Sequence, residues 1–148
     1  MPRVVVLDGV DLPGADPARV WALIADPARA GDWTGLHVAG SMSRELPTPG
    51  DAFHLTRRRG RDPRRAARYQ LVRWVAGRSY RCAMPATTFA SDRELEVRLH
   101  TDPMAAFTRV EIVLRAEVSR WARAPYKAVV LARLRAVLRR LARRVGEV

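Results

Sequence analysis

Three tyrosines and one arginine are the residues whose types and spacing could do chemistry in this sequence. Arg57 follows Phe53 and Leu55 at intervals of two, so an extended chain puts all three on one face. A planar guanidinium among apolar side chains can anchor a carboxylate or an enolate. The competing reading ends the strand at Arg57, in solvent beside Arg58 and Arg59. Tyr69, Tyr80 and Tyr126 matter because a buried phenol needs a hydrogen-bond partner, and a bound molecule can supply it. A cyclisation needs a group that polarises a carbonyl and a base that removes an α-proton. Arg57 with Tyr69 or Tyr80 fits the first role. No residue fits the second, since Glu111 and Glu117 alternate onto the polar side of their strand.

Other chemistries lack their signatures. The sequence has no Gly-rich phosphate loop, no H-E-x-x-H, no C-x-x-C and no G-x-S-x-G. His37, His54 and His100 stand singly, and Cys82 is the only cysteine, so neither a metal, a cofactor nor an internal disulfide is expected. A lone cysteine and the absence of a signal-type apolar stretch give a cytoplasmic reading. The longest early apolar run, residues 4–7, is cut by Asp8, and nothing approaches a membrane span.

The formal net charge of +12 raises nucleic acid or anionic lipid as partners. Apart from Lys127 every basic residue is arginine, as a GC-rich coding sequence would produce. The run from Arg57 to Arg65 and the arginines of the C-terminal stretch could meet phosphates. There is no separate recognition helix and no aromatic platform between the arginines. A non-specific, salt-sensitive contact is therefore the most this charge implies, and a solvated arginine face is its simplest account.

The elements that would position these groups follow from periodicity. In residues 124–148, Tyr126, Val130, Leu134, Val137, Leu141 and Val145 recur every three or four positions, widened by Leu131 and Leu138, which predicts one long amphipathic helix. Its other side carries Arg133, Arg135, Arg139, Arg140, Arg143 and Arg144. Val4, Val5, Val6 and Leu7 predict a first strand, with a turn over residues 11–14. Asp16-Pro17 and Asp26-Pro27 each offer a capping carboxylate before a proline, predicting two short helices in succession, the second ending near Trp33. From Gly35 to Ser119 alternation and turn residues predict about six strands joined by short loops, hence an antiparallel sheet. One strand runs from Leu36 towards Leu46, and the others carry Phe53 and Leu55, Tyr69 to Trp74, residues 79–84, Leu95 to Leu99 and Val110 to Val118. The fold class is α+β: a curved antiparallel sheet of about seven strands, two short helices, and one long C-terminal helix across the concave face, all in a single domain over residues 1–148.

A helix cannot fill a curved sheet, and the remaining space suits an apolar ligand. Residues placed to line it are Trp33, Phe53, Leu55, Arg57, Tyr69, Leu71 and Tyr80, with Tyr126, Val130 and Leu134 from the long helix. The aliphatic ones are equally what a plain core requires.

The sequence resembles the START-like superfamily with its helix-grip fold, whose bacterial members are labelled polyketide cyclase/dehydrase or SRPBCC proteins. The resemblance lies in the run from Asp16-Pro17 to Asp26-Pro27 with Asp32-Trp33 after it, in Pro49-Gly50-Asp51-Ala52-Phe53, in Trp74 ahead of Gly77-Arg78, and in Thr108-Arg109-Val110 before the long helix. It implies a small, largely apolar ligand, lipid or polyketide-like, held between sheet and helix, or a cyclase/dehydratase acting in the same cavity. The motifs are packing motifs, and the catalytic groups of the enzymatic members have no clear counterpart here.

Overall fold

The structure, a computed structural model, describes residues 3–38, 52–56, 67–102, 104 and 107–146. Its sheet has seven antiparallel strands: β1 (Arg3–Pro13), β2 (His37–Val38), β3 (Ala52–Thr56), β4 (Ala67–Val75), β5 (Ser79–Met84), β6 (Ala90–Asp102) and β7 (Phe107–Val118). They lie side by side in the order β1-β7-β6-β5-β4-β3-β2. Five of them, β1 and β4 to β7, are six residues or longer, and β2 and β3 form the short far edge. The helix α1 (Pro17–Ile24) and a 3-10 helix (Pro27–Asp32) link β1 to β2, and α2 (Arg123–Gly146) ends the described chain.

The helix signals work as physical chemistry requires. Asp16 caps α1, its carboxylate accepting from the Ala18 N–H at 3.2 Å, with Pro17 in the first turn. The second Asp-Pro start gives a single 3-10 segment. The first strand is longer than its apolar run: pairing with β7 continues through Leu12↔Thr108 to Pro13↔Phe107, because Leu12 still has a buried slot on the inner face. Gly14, at φ +71°, then turns the chain in the left-handed conformation that glycine tolerates best. The strand expected from Leu36 towards Leu46 is seen as His37–Val38, its remainder lying outside the described residues.

Two apolar clusters fill the inner side. The larger joins Val4 and Val6 of β1, Val97 and Leu99 of β6, Val110 to Val118 of β7, and Val20, Leu23 and Ile24 of α1. Val130, Leu134, Leu138 and Leu141 of α2 complete it. The long helix makes its main contacts with β1 and β7. The smaller cluster, Leu55, Tyr69, Leu71 and Cys82 with Ala30 of the 3-10 helix, belongs to β3, β4 and β5.

Outer-face residues depart from simple alternation in two places. Val113, among the polar positions of β7, is 1% exposed, and Glu96 of β6 is 6% exposed. Glu96 is tolerated there because Arg81 Nε donates to it at 2.9 Å and Arg98 Nε donates to its other oxygen.

Candidate functional site

The two clusters meet at an aromatic seam. Trp21 of α1, Trp74 of β4 and Tyr80 of β5 touch one another: Trp21 meets Trp74 edge-on with ring centroids 5.2 Å apart, Trp74 stacks on Tyr80 at 5.8 Å, and Trp21 meets Tyr80 at 6.1 Å. All three rings are half-buried. Tyr80 packs on both clusters, Trp21 on the larger and Trp74 on the smaller.

A β-bulge builds this seam. Plain alternation from Tyr69 and Leu71 would point Trp74 outward, but the register shifts between Leu71 and Arg73, so Leu71 pairs with Cys82 and Trp74 with Tyr80 on the same inner side. Strand β6 uses the same device. Its register shifts between Ser91 and Glu94, with Asp92 at φ +48°, so Ala90 and Arg93, three residues apart, both reach the inner face. Arg93 Nε then donates to the Tyr126 hydroxyl at 3.1 Å, and its Nη1 to the Pro85 carbonyl at 3.1 Å.

The polar groups of this region are mostly committed to the protein. Tyr80 donates to the Ile24 carbonyl at 2.6 Å, satisfying a last-turn carbonyl of α1 that has no helical partner. Burial, helped by Cys82, raises the Tyr80 phenol well above its ordinary range, so it stays protonated. Burial likewise pushes the Cys82 thiol up to about 12, which makes it an inert packing group at neutral pH. Among the described residues, the Trp33 indole N–H is a buried donor with no acceptor. No group of three or more His, Cys, Asp or Glu among the described residues is placed to hold a metal ion.

Of the residues expected to line a cavity, Leu55, Tyr69 and Leu71 gather in the smaller cluster, with Tyr80 on the seam and Phe53 opposite Tyr69 in the β3–β4 register. Trp33, Val130 and Leu134 are buried in the larger cluster, and Tyr126 packs against it. Arg57 and the basic run that it opens lie outside the described residues. Tyr80 and Tyr126 find their partners within the protein: the α1 main chain and Arg93. Sequence reasoning missed Trp21, Trp74 and Arg93. Trp21 was visible beside the apolar edge of its helix, whereas the other two reach the inner face through bulges that alternation hides.

The sheet, the two short helices and the long C-terminal helix together define a helix-grip protein of the START-like (SRPBCC) class. The chain belongs to the polyketide cyclase / dehydrase and lipid transport family, whose model matches residues 5–146. No curated protein matches it by sequence. Among solved structures it is similar to an uncharacterized protein from Bacillus thuringiensis, with a TM-score of 0.74 at 14% identity over 95% of this chain and 97% of that one. A Thermobifida fusca protein has a TM-score of 0.74 at 17% identity, covering 97% and 93%. DynU16, a protein in the dynemicin biosynthetic locus, has a TM-score of 0.69 at 16% identity, covering 96% of this chain and 47% of that one. These likenesses establish the fold.

Proposed function

We propose that the protein binds a small, largely apolar molecule, lipid or polyketide-like, on the inner face at the seam between its two apolar clusters. The observation that carries this is the half-buried trio of Trp21, Trp74 and Tyr80. Three large rings in mutual contact bury much of their area, and the half-buried remainder is apolar surface that a ligand can cover. Tyr69 and Leu71 extend the surface into the smaller cluster. The family to which the chain belongs supports the same reading. The setting we infer is cytoplasmic. No helix among the described residues is long and apolar enough to cross a membrane.

A second reading, cyclase or dehydratase activity in the same space, draws on the Arg93–Tyr126 pair. An inward guanidinium held by a phenol and a main-chain carbonyl is suited to polarising a ligand carbonyl. Among the described residues, the partners of Arg93 include no carboxylate that would serve as base.

Native mass spectrometry of the protein from its own host, beside the denatured sample, tests the binding reading through a co-purifying small molecule. Nile red, a neutral apolar probe, avoids attraction to the arginines. We expect it to bind the wild type and to bind Trp74→Ala about tenfold more weakly, since an aromatic contact and its buried area are lost. Equal binding by a well-folded Trp74→Ala would remove the seam as the site.

A further inference from the structure

Four arginines on the outer face of strands β5, β6 and β7 are matched by acids. Arg81, Arg98, Arg109 and Arg115 meet Asp11, Glu94, Glu96 and Glu111 in ion pairs. The last turns of α2 break that balance. Arg140, Arg143 and Arg144, at spacings of three and one, lie along one side of the helix. With Asp32 they line a surface groove of about 330 Å³. Among the described residues, three guanidiniums face one carboxylate there, an excess of positive charge.

The groove is shaped as well as charged. Arg140 Nη1 donates to the Thr34 carbonyl at 3.3 Å. Its guanidinium lies over Gly35, where φ is +78° and a Cβ would collide with Nη1. Arg144 is held 3.7 Å from Asp32, which also meets Arg29 at 3.6 Å. Arg143 is exposed and makes no hydrogen bond or ion pair among the described residues. Attraction to the negative end of the helix accounts for cations in its last turn. It does not account for a concavity that gathers three of them, with Arg140 folded back onto the Thr34–Gly35 turn.

We propose that this groove is a phosphate-binding site, suited above all to a phosphate monoester and separate from whatever the inner face holds. A dianion suits that excess of positive charge, and guanidinium forks match phosphate oxygens in pairs of parallel hydrogen bonds. The groove is open to solvent, so a phosphate held there can carry an organic body. That body is either a soluble metabolite or a lipid headgroup.

Isothermal titration with inorganic phosphate at fixed ionic strength tests the site, with thermal melts confirming that each variant is folded. Arg143→Gln should weaken binding about tenfold, the loss of one charge-assisted fork. Asp32→Asn, which removes the only carboxylate among the described residues of the groove, should tighten it severalfold. Arg123→Gln removes the same charge from the far end of the same helix, about 25 Å from Arg140 at about 1.5 Å per residue, and should leave binding within about twofold, because screening leaves little of a surface charge at that distance. Equal weakening by Arg123→Gln and Arg143→Gln would reduce the effect to net charge and overturn the site, as would failure of the wild type to bind phosphate or of Asp32→Asn to bind it more tightly. Flotation with phosphatidylcholine vesicles, with and without phosphatidic acid, then separates the sources. Recruitment that needs both phosphatidic acid and Arg143 assigns a lipid headgroup, and phosphate binding without recruitment assigns a soluble monoester.

Discussion

The two halves of the inner face are closed differently. On the β1–β7–β6 half, four aliphatic residues of α2 press into a cluster whose members include Val4, Val110, Ala116, Val118 and Leu141, each with no exposed surface. On the β5–β4–β3 half the apolar residues among those described are fewer, their described cover comes from Ala30 of a 3-10 helix, and half-buried aromatic rings form the border. The first part specifies the fold, and the second borders on half-buried apolar surface. Stability concentrated in the first would leave the second free to exchange contacts with the ligand we propose.

Substitutions separate the two halves by size of effect. Leu134→Asp puts a carboxylate into the sealed half with no cationic partner described beside it, a change worth several kcal/mol against a total of about 5–15. The expected outcome is loss of the cooperative thermal transition. A normal melt would mean that α2 does not pack on β1 and β7 through Leu134. Leu71→Ala, in the other half, should cost about 2–4 kcal/mol by denaturant unfolding, because Leu71 is 1% exposed and the cavity relaxes only in part. The two halves are further distinguished by Nile red. Leu71→Ala should alter its affinity in protein that remains folded, whereas a conservative Leu141→Met in the sealed half should not.

How much of this the sequence disclosed depends on which rule each element obeys. The long helix, the capped start of α1 and the alternating strands β6 and β7 follow local periodicity and capping chemistry, and they were legible. So was the membership of Leu55, Tyr69, Leu71 and Tyr80 on one inner surface. Trp74 and Arg93 were not, because each lies just past a bulge, and a bulge reverses side-chain direction through pairing with a neighbouring strand that local sequence does not announce. Burial of Glu96 was hidden for a related reason. Arg98 lies two residues away on the same face of its own strand, but Arg81 lies on β5, and only the register brings it to Glu96.

The border between the halves is the β5–β6 pairing and the packing of α1 above it, and Tyr80 ties the two. Tyr80→Phe keeps the ring stack and leaves the Ile24 carbonyl without its donor, so a cost of about 2 kcal/mol is expected in urea unfolding. If the loss were negligible, water would be reaching that carbonyl and the seam would be more open than the rings suggest.

On the outer face the same border is clamped by charge. Arg81 of β5 bonds Glu96 of β6 at 2.9 Å and lies 3.4 Å from Glu94, while Arg98 bonds the second oxygen of Glu96. Burial alone would raise the Glu96 carboxyl, but hydrogen bonds from Arg81 and Arg98 outweigh it and hold the group below the usual carboxylate range. A carboxyl depressed in the folded state binds its proton more readily when unfolded, so it stabilises the fold above its ordinary value of about 4.3 and loses that contribution as pH falls through the folded value. The melting temperature should therefore decline on acidification from about pH 5 towards 3. Glu96→Gln should lower it at neutral pH and flatten part of that decline. Glu111, depressed by Arg109 and His100 against its own burial, keeps the remainder. The expected size is about 1 kcal/mol or less, since the arginines stay partly solvated and screened. A wild-type acid limb that Glu96→Gln left unchanged would show that the two halves are joined by their rings and main chain, with the ion pairs merely lying across the join.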